Sequence, residues 1–332
     1  MLRRPTISII IPFFNAECTI AKCLCSILES DVGVSFEIIC VNDGSTDEGN
    51  EIVLNYKKKY RNIRIYKHKT NKGLFQARLT ALKHVRGKYI GFVDSDDYVK
   101  KGYFRELYES IINNNADIAV GRIINVASDN ICYVQTRCKD FPYSIDSKDE
   151  KYYDMFWKQE GLCYPWHVVW NKLYVSKIWK ANYTKLKKMD IHSTMMEDFI
   201  FSSVILSKSS QIVSVKNAYY YYVQNDTAST SHSLDYKKWE SNITAMGEAF
   251  KTVEHFLEKD IDLSKYLVNL NNWKQRYSRY WTRNIKQSKF EEYEMNQLLN
   301  LLKESLCVKE LFMPEPFDEY YYELAEYGIE RS

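Results

Sequence analysis

The first 125 residues alternate between short apolar, β-branched runs and amphipathic stretches, and this alternation restricts the fold more than any other feature of the chain. Ile7–Ile11, Glu37–Val41, Ile63–Tyr66, Tyr89–Val93 and Ile118–Val120 read as strands. Between them Ala16–Glu29, Thr46–Lys59, Gly73–Val85 and Tyr103–Asn114 read as helices. In the first helix Ile20, Leu24, Ile27 and Leu28 fall on one side; the second has Ser45 or Thr46 near its N-cap and a basic end. Strands alternating with helices of this length imply an α/β fold with a largely parallel sheet covered on both faces. Such sheets bind ligands beyond the carboxyl ends of their strands.

After residue 125 the pattern is less regular. Asp146–Trp157, Ser176–Ala181 and Asp198–Ser207 read as helices, and Ile212–Val215 and Ala218–Val223 as two strands. From Tyr236 onward the chain is helical, polar and aromatic, and a separate helical segment is expected there.

Bulk properties exclude several classes. A net charge of +3 gives no ground for a nucleic-acid partner. The N-terminal apolar run Ile7–Ile11 is short and closed by Pro12, which reads as a strand rather than a secretory leader. No apolar run approaches the roughly 18–20 residues of a membrane span. The eight cysteines form no CxxC pair or zinc-type spacing, which points to reduced thiols and a cytoplasmic chain.

Polar residues collect after the strands: Pro12-Phe13-Phe14-Asn15, Asn42-Asp43-Gly44-Ser45-Thr46-Asp47, Asn71-Lys72-Gly73 leading to Arg78, and Asp94-Ser95-Asp96-Asp97. Asp-Gly-Ser alone is ordinary turn chemistry; four clusters at the ends of strands are a site. Clustered carboxylates resist desolvation unless a positive charge sits among them. Asp94 and Asp96, alternating past a strand end, suit Mg²⁺ or Mn²⁺, which take few carboxylates together with substrate phosphates. Asp97 reads as a solvated acid capping the next helix.

The ordered set ISIIIPFFN (7–15), VNDGSTD (41–47), NKGLFQAR (71–78), DSDD (94–97) and MEDFIF (196–201) resembles the family-2 glycosyltransferases of the GT-A fold, strongly over residues 5–225 and weakly beyond. The resemblance implies a nucleotide-sugar-binding half at 1–125, an acceptor and catalytic-base half at 126–235, and a helical extension at 236–332. It implies an inverting enzyme that uses a metal-bound nucleotide-sugar, often a UDP-sugar, to extend a bacterial surface glycan on a saccharide or lipid-linked acceptor. Pro12, the Phe13 backbone and Asn15 would border the nucleoside, and Asp43 would accept from the base edge. Lys72 would meet phosphate or fix its loop, Gly73 would let the backbone approach the ligand, and Ser95 would belong to the donor site. Arg78 would meet phosphate or brace Asp94. Asp94 would contact ribose or metal, Asp96 would ligate the metal directly, and His232 is a further candidate ligand.

A base must come from the second half. Glu197 and Asp198 match the family's paired acids, with Asp198 the expected base and Glu197 binding acceptor or aligning the site; on local sequence alone they are helix-capping acids. Trp170 is either an acceptor platform or core, and Lys172 a candidate phosphate contact. The loop Gln224–Ser229 is expected to close over the diphosphate. The basic, aromatic stretch Asn269–Phe290 suits a helix at a membrane interface, on the inner face of the cytoplasmic membrane, or one packed on the catalytic domain. The acidic tail could pack on it or on a second subunit. The rivals are a sugar nucleotidyltransferase, which would want a Gly-rich phosphate loop where PFFN stands, and a non-catalytic glycan-binding or membrane-scaffold protein.

Overall fold

The structure is a computed structural model, and it describes residues 4–126, 132–134, 152–158, 167–189, 191, 195–223 and 235–311. Strand β1 (Ile7–Phe13) is buried along its whole length, because both faces of the sheet are covered there. It pairs in parallel with β2 (Phe36–Asn42) on one side and with β4 (Tyr89–Phe92) on the other, and β2 pairs in parallel with β3 (Ile63–Lys67). Helices α1 (Ile20–Leu28), α2 (Gly49–Lys59) and α3 (Leu74–Lys83) make the crossovers. The chain winds outward from β1 through β2 to β3 and then returns to β1's other edge. That reversal opens a crevice past the carboxyl ends of β1, β2 and β4.

Beyond β4 the sheet is mixed. Its order is β3-β2-β1-β4-β8-β6-β9-β5, with β7 (Cys132–Val134) paired to β6 (Ile118–Val126). Strand β8 (Lys172–Val175) runs antiparallel to both β4 and β6 and joins the two halves. Periodicity gives no sign of this four-residue strand. The two short strands expected at 212–215 and 218–223 are one, β9 (Ile212–Val223). Its pairing with β6 jumps from Val215 to Tyr219 between Gly121 and Arg122, so the intervening residues bulge out. Strand β5 (Tyr98–Val99) pairs antiparallel with β9, and the rings of Tyr98 and Tyr221 stack 4.6 Å apart.

The remaining helices are α4 (Tyr103–Asn114), α5 (Tyr152–Lys158), α6 (Ser176–Lys188), α7 (Glu197–Ile205), α8 (Tyr236–Glu258), α9 (Leu267–Gln287) and α10 (Glu292–Leu306). The expected short helix at 176–181 runs a further two turns, its buried positions Ile178, Asn182 and Leu186 keeping one face inward. Asp235 caps α8 by accepting from the Lys237 amide at 3.0 Å, and Glu291 with Glu294 forms a capping box on α10. The aromatic face of α9 is turned to the core. Trp273 stacks on Trp157 at 4.7 Å, Tyr277 meets Phe250 edge-on at 5.1 Å, and Trp281 meets Trp239 at 5.5 Å. The rings that would anchor a membrane-surface helix are therefore buried, with Tyr280 left outside. Among the described residues no helix is long and apolar enough to cross a membrane. The acidic tail and the Gln224–Ser229 loop lie outside the described residues.

Candidate active site

The crevice is lined by the segments that follow β1, β2 and β4, closed by the start of α7. After β1, Asn15 takes a left-handed conformation at φ 48° and clamps the next segment. Its amide donates to Ser45 Oγ at 3.0 Å, and its side-chain oxygen accepts from the Thr46 amide at 2.9 Å. Pro12 and Phe13 are buried beneath this clamp, while Phe14 is 45% exposed at the rim. Gly44 has φ 82°, and a Cβ there would come within 2.6 Å of the Asn71 amide nitrogen, so only glycine lets the 70–73 segment cross so closely.

That crossing serves Asp43. Its carboxylate accepts from the Lys72 amide at 3.0 Å and the Gly73 amide at 2.8 Å, and shares a 2.5 Å hydrogen bond with His68 Nδ1. His68 is in turn held by Thr80 Oγ1 at 2.8 Å from Nε2. Gly73, at φ 87° and ψ 159°, has a backbone only glycine tolerates well. Lys72 contributes its backbone amide here, while its side chain is exposed at the crevice. His68 and Thr80 were not singled out by the sequence; a lone His after β3 carries no local signal.

Arg78 on α3 organises the rest. Its side chain is wholly buried, with Nη2 donating to Asp94 at 2.8 Å and Nη1 to Glu197 at 3.0 Å and Asp198 at 2.6 Å. Of its two expected roles, bracing Asp94 is the one seen, and the bracing extends to both acids of α7. Those acids turn to the guanidinium instead of serving only as dipole-compensating residues of a helix start. Met196 precedes them in a left-handed conformation at φ 66°, uncommon for a non-glycine residue, which sets the entry angle of α7. Burial pushes the carboxyls of Glu197 and Asp198 up, and Arg78 opposes it. Glu197 and Asp198 therefore hold protons more tightly than isolated carboxylates would.

Asp94, Ser95 and Asp96 form the turn after β4. Asp96 is exposed at the crevice and makes no contact with Arg78; dehydration by its surroundings, then Asp94, raise it to about 6. The turn is held from behind by a residue the sequence did not single out. The Tyr220 hydroxyl accepts from the Asp94 amide at 3.0 Å and donates to Asp97 at 2.7 Å. Asp97 also accepts from the Val223 amide at 2.8 Å. Asp97 is 1% exposed and is thus a buried strut between β9 and the acidic turn, not the solvated helix cap expected of it.

Burial answers two further expectations. Lys172 is buried, and its ammonium donates to the Val168 carbonyl at 2.5 Å and to Asn171 at 2.7 Å, so it is committed to local structure and not to a phosphate. Trp170 is core: it is 2% exposed and stacks on Tyr220 at 4.3 Å and on Tyr222 at 5.4 Å.

His232 lies outside the described residues. Among those described, no group of three or more His, Cys, Asp or Glu side chains is arranged to hold a metal ion. Asp94 and Asp96 are two carboxylates at an open crevice, with one Asp94 oxygen committed to Arg78. That donor set fits Mg²⁺ or Mn²⁺, which complete their shells with water and substrate phosphate, and does not fit a closed structural site.

A mixed sheet with a parallel four-stranded core, acids at the switch point and paired acids across the crevice is the GT-A architecture of glycosyltransferases. Staphylococcus aureus TarS residues 1–349, solved in complex with UDP-GlcNAc, has the same fold: TM-score 0.60 at 21% identity, over 90% of this chain and 80% of that one. Residues 8–170 match the family model Glycosyl transferase family 2. The chain is 30% identical over 283 residues to glycosyltransferase GlyA of Streptococcus pneumoniae serotype 4, covering 82% of this chain and 38% of that protein. It is 32% identical over 225 residues to the poly(ribitol-phosphate) beta-glucosyltransferase of Bacillus spizizenii, covering 66% of this chain and 32% of that protein. Residues 8–170 belong to glycosyl transferase family 2, and the chain spans well under half the length of these relatives.

Proposed function

We propose that the chain transfers a sugar from a nucleotide-sugar, a UDP-sugar by preference, to a hydroxyl of a surface-polymer or lipid-linked saccharide, with inversion at the anomeric carbon. The observation that carries the reading is the bridge Asp94–Arg78–Asp198, which fixes a donor-side acid and a candidate base on opposite walls of one crevice. The acceptor oxygen attacks the anomeric carbon, the bond from that carbon to the diphosphate oxygen breaks, and Asp198 takes the acceptor's proton. Arg78 opposes the rise that burial imposes on the Asp198 carboxyl and fixes its direction, and Glu197 shares that guanidinium and aligns the wall. A divalent cation, when bound at Asp94 and Asp96, neutralises the departing nucleoside diphosphate. Asp43 holds the amides of Lys72 and Gly73 in place and borders the base with Pro12, Phe13 and Asn15. In this scheme residues 1–125 serve the donor, 126–235 the acceptor, and 236–332 extend the core.

The acceptor class is supported by the names of the relatives, one of which acts on poly(ribitol phosphate). Work at the inner face of the cytoplasmic membrane belongs to the same reading, with contact through residues other than the buried Trp273, Tyr277 and Trp281. The test is calorimetric binding of UDP with and without Mn²⁺, paired with turnover of UDP-sugars. Metal-dependent binding lost in Asp96→Ala, and turnover lowered by about 10²–10⁴-fold in Asp198→Asn with UDP binding kept, are the expected results. Transfer unchanged in Asp198→Asn would move the base to Glu197; no effect of either substitution would leave a glycan-binding or scaffold protein.

A further inference from the structure

At the pole of the sheet opposite the crevice lies a cleft of about 550 Å³, where the chain enters β1 and β4 and where α6 begins. The seven residues of β1 separate it from the crevice by about 20 Å, at roughly 3.3 Å per residue. Arg4, Arg86, Lys88 and Lys180 line it, drawn from three segments distant in sequence, and Tyr108 and Ser176 add hydroxyl groups. Among the described residues no Asp or Glu lines it.

In a chain with 46 basic and 43 acidic residues, most concentrations of cations have carboxylates to hand. Here they do not. All four cations are exposed, and none forms an ion pair among the described residues. Two acids near this pole are committed to other partners. Glu37 accepts from Ser8, from the Arg86 amide and from Arg64, and Asp117 from Ser210 and Lys177. Like charges gathered around a concavity repel each other and focus a positive potential within it, a cost that an anion would offset. The backbone at the back of the cleft leaves no slack: a Cβ at Gly87 would meet the Ser8 amide nitrogen at 2.6 Å, so the concavity rests on a close-packed crossing of chain.

We infer that this cleft is a second ligand site, separate from the sugar-transfer crevice, that binds a phosphate-bearing anion. Its volume admits several linked phosphates or a phosphorylated headgroup. The soluble and the membrane-borne forms share this chemistry, and the inference does not rest on the chain's being a transferase.

The experiment titrates inorganic tripolyphosphate into the full chain by calorimetry, at low ionic strength in EDTA. The wild type is compared with Arg86→Ala/Lys88→Ala/Lys180→Ala and with Lys57→Ala/Lys58→Ala/Lys59→Ala. The second variant removes the same charge from the exposed C-terminal end of α2, whose lysines do not line the cleft. Thermal midpoints of all three proteins are measured first. The cleft variant is expected to bind about tenfold more weakly or worse, with the control close to wild type. Equal weakening in both variants, or no binding by the wild type, overturns the site. Co-sedimentation with phosphatidylglycerol and with phosphatidylcholine vesicles then separates the sources. Retention on the anionic vesicles, lost only in the cleft variant, assigns a lipid headgroup. Tripolyphosphate binding without vesicle retention assigns a soluble phosphate.

Discussion

Replacing Arg78 by Met removes the one cation shared by Asp94, Glu197 and Asp198 while keeping most of the side chain's length. The guanidinium is wholly buried and its three contacts run from 2.6 to 3.0 Å. Removing one partner of a buried ion pair costs about 3–5 kcal/mol, because the charge left behind is uncompensated. Three carboxylates are left here, but they relieve one another by taking up protons, so the whole loss is set near about 4 kcal/mol at pH 8. At roughly 2–4 °C per kcal/mol for a chain of this size, the thermal midpoint falls by about 10 °C. The sign of the pH dependence follows from the acids. In the variant the folded-state pKa values of Glu197 and Asp198, raised by burial, lie above the unfolded values of about 4. A raised carboxyl contributes stability that is intact below the unfolded pKa and is lost as pH rises through the folded one. The gap between wild type and variant therefore widens from pH 5 to pH 8. Urea unfolding of both proteins at pH 5, 6.5 and 8 measures it. A gap under about 1 kcal/mol, or one that stays the same at all three pH values, refutes the claim that the Arg78 charge braces these acids.

Cation binding at the turn after β4 should depend on pH through Asp96, whose carboxyl is raised to about 6 by dehydration and Asp94. Below that pH the cation must displace a proton, so Mn²⁺ affinity should fall about tenfold for each unit and level off above pH 7. Calorimetric Mn²⁺ titrations from pH 5 to pH 8 check this, and a flat profile contradicts it. Tyr220→Phe removes the hydroxyl that accepts from Asp94 and donates to Asp97, leaving a buried amide and a buried carboxylate each short of a partner. The expected cost is about 2 kcal/mol by urea unfolding, with weaker UDP binding; a loss within 0.5 kcal/mol of zero, by the same estimate, means that the strut is dispensable.

The parallel half of the sheet was legible because strands buried on both faces are written as continuous β-branched runs, as in Ile7–Ile11. Strand β8 was not, because four residues that open on a lysine carry no period, and only pairing with β4 and β6 makes them a strand. The bulge in β9 escaped for a related reason: two short runs with an exposed Lys216 and Asn217 between them read as two strands. At the candidate site, the residue types were readable and their partners were not. Asp97 sits 123 residues from the tyrosine that makes it a strut, and Arg78 lies 120 residues from Asp198, so nothing local separates a buried brace from a phosphate ligand. The aromatic stretch in α9 is ambiguous in sequence for the same cause, since a ring facing a membrane and a ring facing Trp157 are spelled alike.

Strand β8 gives the architecture a property that neither half has alone. It is hydrogen-bonded to β4 on one edge and to β6 on the other, so the donor-side strands and the strands beyond them form one unbroken ladder. Two lobes joined in this way do not swing like jaws; motion that admits or releases a ligand falls to the segments past the strand ends. A fragment cut after residue 125 would lose β8 and leave the edge of β4 bare, a template for pairing with another chain. Residues 1–125 are contiguous in sequence without being a detachable piece of the molecule.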